Sequence, residues 1–159
     1  MRKNRAVLAA VGLAAVLGAL APAATAQAAP SSTLSTACDN AYNSHKGDGY
    51  VRAYYWANCD TLLGAASGDD SNWSDTSGPF QGTDNDNARS VVNTGTYSGG
   101  VNDVLFYRDA GYTGGYGCLD WNELYVDDLS RNTFTSGTSA QDNISSHKWV
   151  NGCPGNLWH

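Results

Sequence analysis

The chain has 159 residues, with nine Lys/Arg against fifteen Asp/Glu and a formal net charge of −6. An acidic chain lacks the basic face that nucleic acid or anionic lipid requires, so those partners are excluded, whereas cationic partners and metal ions fit. Fourteen of the acids are Asp and the only Glu is Glu123; Asp bonds to nearby backbone in turns, so the composition points away from helix.

Residues 1–28 read as a secretory signal peptide. Arg2, Lys3 and Arg5 precede an apolar run, Ala6 to Leu20, and small-x-small cleavage sites follow at Ala26 and Ala28. The run is too short for a membrane span. The mature protein is therefore expected to be secreted, extracellular and without a membrane segment. It keeps six Lys/Arg against the fifteen acids, a net charge near −9. Its length suits one domain, expected as a monomer.

Residues 29–49 are polar and rich in Gly, Ser and Asn, and are expected as an N-terminal arm tied down through Cys38. "YVRAYYW" (Tyr50 to Trp56) has the content of a strand. Ser67 to Asn87 is loop chemistry. "ARSVVN", "VLFYRD", "YGCLDW" and "NISSHKWV" read as further strands, while "YVDDLSRNTF" fits a strand or a helical turn. No window shows a sustained 3.6-residue apolar period, so the chain is expected to be all-β. Residues 151–159 are expected as a C-terminal tail.

All four cysteines follow the cleavage site, which in an exported protein reads as two disulfides. Three pairings are possible; Cys38–Cys59 with Cys118–Cys153 gives one bridge to each half of the repeat described next. A zinc site is disfavoured, since there is no C-x-x-C and His45, His147 and His159 are scattered.

The phrase "NDNARS" (Asn85 to Ser90) returns at an offset of 56 as "QDNISS" (Gln141 to Ser146). Ahead of the second copy stands Tyr107-x-x-x-x-Tyr112-x-Gly114; ahead of the first, "YWANCDTLLG" sets Tyr55 at the place of Tyr107. Between these markers lie two double-Asp loops, Asp69-Asp70 and Asp127-Asp128. With these features in the same order, the chain resembles the βγ-crystallins, and within them the small secreted proteins of peptidase inhibitor family I36. The resemblance covers residues 50–150, as motif 1 (50–95) and motif 2 (103–150), and implies a double Greek key sandwich. It further implies that Tyr107 and Tyr112 cap a bent hairpin at Gly114, and that Ser90 and Ser146 tie the hairpins down. Leu62 stands where the first hairpin should carry Gly.

The plain reading of these residues is structural. The sharper one is calcium, which takes oxygens from carboxylates, carbonyls and hydroxyls. The resemblance assigns such a role to the two turns, here to Asp86, Asn87, Asp142, Asn143 and Ser145. Arg89 replaces the hydroxyl in the first copy, so the site using Ser145 is expected to be the stronger. No cofactor is otherwise required.

The leading function implied is inhibition of an extracellular proteinase, with metalloproteinases as targets. Two exposed apolar segments beside cysteines would carry it: Thr61, Leu62 and Leu63, or Glu123, Leu124 and Tyr125. The alternatives are a calcium-binding structural or stress protein, and a glycan or cell-wall binding module using Trp73, Trp121 or Trp158. An enzyme is not expected, because Ser146 and His147 are strand neighbours facing opposite ways and the other histidines lie at the arm and terminus.

Overall fold

The structure, a computed structural model, describes residues 35–96 and 100–159. The expected signal peptide and the first residues of the arm lie outside them. Among the described residues, seven strands are joined by turns and by two long loops: β1 (Val51–Trp56), β2 (Asp60–Ala66), β3 (Ser90–Asn93), β4 (Asp103–Asp109), β5 (Thr113–Leu119), β6 (Tyr125–Val126) and β7 (Ser146–Val150). They form two antiparallel sheets, β2-β1-β3-β6 and β5-β4-β7. This is the double Greek key sandwich that the resemblance implied.

Each half lends its third segment to the other half's sheet. β6 pairs with β3 through Val91 and Val126. Asp70 bridges to His147 at the edge of β7. These two pairings correspond at the offset of 56, so Ser71 and not Asp69 matches Asp127. The two double-Asp runs are therefore a coincidence of composition. The hairpins correspond differently. Ser90 Oγ accepts from the Cys59 N–H (3.0 Å) and donates to the Trp56 carbonyl (2.7 Å). Ser146 Oγ does the same with Tyr112 (3.2 Å) and Asp109 (2.8 Å). Trp56 thus matches Asp109 and Cys59 matches Tyr112, an offset of 53 that puts Tyr54, not Tyr55, at the place of Tyr107. Alignment on tyrosine alone could not see this shift.

The second hairpin bends as expected. Tyr107 and Tyr112 rings lie 5.7 Å apart, and Gly114 takes φ +77°, where a Cβ would meet Asp109 at 2.3 Å. The first hairpin reaches a similar bend without glycine: Asn58, Cys59 and Thr61 all adopt left-handed φ near 60°, a cost borne locally. Cys59 occupies the aromatic corner position, and its bridge to Cys38 takes the place of ring packing.

That bridge anchors a helix the composition argued against. α1 (Thr36–His45) starts at Ser35, whose side chain accepts from the Cys38 N–H. Its residues are weak helix formers, and short isolated helices are marginal. Tertiary contact supplies the stability. Cys38 is buried with Tyr54, Val92 and Tyr125 on the outer face of the first sheet, and the Tyr125 hydroxyl donates to Asp39 (2.9 Å). The expected arm is thus a packed lid on that sheet. Replacing Cys38 and Cys59 by serine should cost about 3 kcal/mol by the chain-entropy account of a loop this size. The drop should appear as a lower urea midpoint, with α1 lost first in amide exchange.

The second disulfide, Cys118–Cys153, ties the tail to β5. The tail is no loose end. Cys118 N–H donates to the Asn156 carbonyl (3.0 Å) and Trp158 N–H to the Cys118 carbonyl (2.9 Å). Trp158 is buried, stacked on Phe106 with centroids 5.5 Å apart. The core joins it to Trp73, Phe80 and Phe134. Two of the three tryptophans expected at the surface, Trp73 and Trp158, are therefore core residues, while Trp121 is exposed.

Candidate metal centre

The two repeated turns meet through a reciprocal pair of backbone hydrogen bonds. Asp86 N–H donates to the Ile144 carbonyl and Asp142 N–H to the Ala88 carbonyl, each at 3.0 Å. Asp86 and Asp142 both sit at left-handed φ, 55° and 56°, which Asp tolerates better than most residues. Each turn is braced by its asparagine. Asn87 Nδ2 donates to the Asn85 carbonyl (3.1 Å), and Asn143 Nδ2 to the Gln141 carbonyl (2.7 Å).

The hydroxyl position of one turn faces the acid of the other. Ser145 Oγ donates to Asp86 Oδ1 at 3.2 Å. At the matching place, Arg89 Nε donates to both Asp142 oxygens, at 2.9 and 3.2 Å. The grouping thus crosses between turns: Asp86 with Ser145, and Asp142 with Arg89. Reading each turn as its own site missed this exchange, because strand sharing between the halves is not visible in a linear motif.

The two halves differ in chemistry. Asp86 is exposed, takes the Asn85 amide on its second oxygen (2.7 Å), and has a hydroxyl beside the first. Carboxylate, hydroxyl and turn carbonyls are the hard oxygens calcium takes. At Asp142 a guanidinium already neutralises the carboxylate, and the hydrogen bond from Arg89 to Asp142 raises the guanidinium pKa further. Asp86 has a hydroxyl beside its carboxylate where Asp142 has an internal cation. Asn87 and Asn143 act through the backbone, holding the turns.

A second acidic grouping, Asp103, Asp120 and Cys153, is structural. The Cys153 sulfur is in the disulfide, and the buried Asp103 carboxylate accepts from the Trp121 and Gly152 N–H groups, both at 2.8 Å.

Of the two segments expected to engage a proteinase, Thr61, Leu62 and Leu63 lie in β2, with Leu62 paired to Tyr54, and Glu123 and Leu124 lead into Tyr125 at the start of β6. Thr61 and Leu124 have left-handed φ of 59° and 66°. Leu62 is 53% exposed, but Leu63 packs against the core and Tyr125 is buried. Leu124 is tied to the sheet through its carbonyl, which accepts from Asn93 N–H (2.8 Å), and Glu123 through its own, which accepts from Tyr125 N–H (2.7 Å).

No protein-family model and no curated protein matches the chain. Among solved structures it is similar to a βγ-crystallin domain from work on the evolution of the eye lens fold, at 22% identity and TM-score 0.48, over 65% of this chain and 87% of that one. It is also similar to an archaeal βγ-crystallin, at 21% identity and TM-score 0.44, over 64% and 96% of the two chains. A βγ-crystallin from Ciona intestinalis shares 16% identity at TM-score 0.44, over 64% of this chain and all of that one. These likenesses concern the fold.

Proposed function

We propose that the chain is an extracellular, non-enzymatic structural protein that binds one calcium ion at Asp86 and Ser145. The observation that carries this reading is the crossed pairing of the turns, with a hydroxyl at Asp86 and a guanidinium at Asp142. Inhibition of a proteinase has no comparable support. An inhibitory strand must be free to lie extended in the enzyme's cleft, and both candidate segments are already paired within the first sheet, Leu62 with Tyr54 and Tyr125 with Val92.

Calorimetric titration of the mature protein should give one calcium per chain. Asp86→Asn should abolish the heat, and Ser145→Ala should weaken binding about tenfold, the scale of one lost polar contact. Arg89→Ser removes the internal cation and frees Asp142, so it should add a second site. Calcium should raise the melting temperature in the wild type in proportion to the logarithm of its concentration. Unchanged titration in Asp86→Asn would sink the assignment.

A further inference from the structure

Trp56 closes β1 with 46% of its surface exposed. Its position is fixed from several sides. Its carbonyl accepts from Ser90 Oγ (2.7 Å). The Tyr55 ring stands edge-on to the indole at 4.7 Å. The Arg89 guanidinium lies over the indole, 4.7 Å from its centroid, and is itself held by Asp142. The indole therefore needs no ordering before a ligand arrives, and the entropic cost of binding is low. Its cross-strand partner is the exposed Asp60, and Asp142 stands behind the Arg89 that covers one face of the ring.

We infer that this surface binds a neutral polysaccharide, whose sugar ring would stack its C–H face on the side of the Trp56 indole away from Arg89 while a hydroxyl donates to Asp60. An aromatic face with a few placed polar groups is the usual make-up of a ligand site. Charge selects the class. Arg89 is matched by Asp142 and Asp60 adds a further negative charge, within a chain of net charge −6. Anionic glycans, nucleic acid and anionic lipid are repelled; an uncharged, hydroxyl-rich polymer is not. The site shares Arg89 and Asp142 with the arrangement above but uses neither Asp86 nor Ser145, so it stands apart from the calcium reading.

The test is depletion of the mature protein from solution by insoluble cellulose and by insoluble chitin, with tryptophan emission followed on adding cellohexaose or chitohexaose. The wild type should be retained on at least one polymer, with chelator making no difference. Trp56→Ala should weaken retention about tenfold, Trp56→Tyr should keep part of it, and Asp60→Asn should weaken it a few-fold with the ring intact. Melting curves of the three variants would show that each is folded. Absence of retention on both polymers, or equal retention of wild type and Trp56→Ala, would overturn the inference. Retention lost on chelation would place the ligand at Asp86 instead and overturn it too.

Discussion

Trp158→Ala is expected to lower stability by roughly 3–5 kcal/mol, the cost of emptying a large aromatic from a core, although the residue is next to last in the chain. The ring is 1% exposed and packs on Phe106 and Phe134; its indole N–H donates to the Thr133 carbonyl at 3.0 Å. Gly117 lies directly beneath it, and a Cβ there would come within 1.8 Å of the ring. Gly117→Ala should thus be nearly as damaging, by overpacking and not by a void. The pair is diagnostic: if both act through the same contact, Gly117→Ala should cost much less in a Trp158→Ala background. Urea unfolding of the single and double variants measures this. A loss below about 1 kcal/mol for Trp158→Ala would mean that the tail is not part of the core.

Acid should destabilise the domain through His147. The imidazole is fully buried among Trp73, Phe80 and Phe106. Nδ1 accepts from the Trp73 indole N–H (3.0 Å), which leaves Nε2 to donate to the Gly68 carbonyl (2.9 Å). Burial pushes the pKa down to about 4, against partial opposition from the Gly68 hydrogen bond and from Asp70 and Asp69. The folded pKa lies below the unfolded value near 6.5, so the unfolded chain binds the proton first. Stability is whole above pH ~6.5 and falls as pH drops toward ~4, by on the order of 3 kcal/mol, then levels off for this group. His147→Gln keeps an acceptor and a donor but cannot titrate in this range. The wild type should lose stability between pH 6.5 and 4 in excess of the variant. Parallel curves would show that the histidine is not the titrating group.

The fold was legible because its punctuation is local. Tyr107, Tyr112 and Gly114 specify one bent hairpin, and Ser90 and Ser146 are marked by the turns before them. Asp86 and Asp142 were legible for the same reason. What escaped was set by contact between distant segments. α1 forms through Cys38 and Tyr125, on a sequence with little helical preference. Trp158 reads as surface because nothing near it is apolar except Leu157. Its partners are Gly117, Phe106 and Phe134. The partnership of Ser145 with Asp86, 59 residues apart, depends on an exchange of segments that a repeat in one dimension does not display.

That exchange also governs when the molecule can assemble. Asp70 has no strand to meet until β7 exists, and β3 has no outer neighbour until β6 does. A fragment ending before Ser146 can complete the first sheet through β6 but leaves β4 without β7 and Asp70 without a partner. The second sheet must wait for the last strand, and closure over such long sequence separations is slow. Once made, the two layers hold each other, because the second half supplies β6 to the first sheet and the first half supplies the Asp70 bridge to β7.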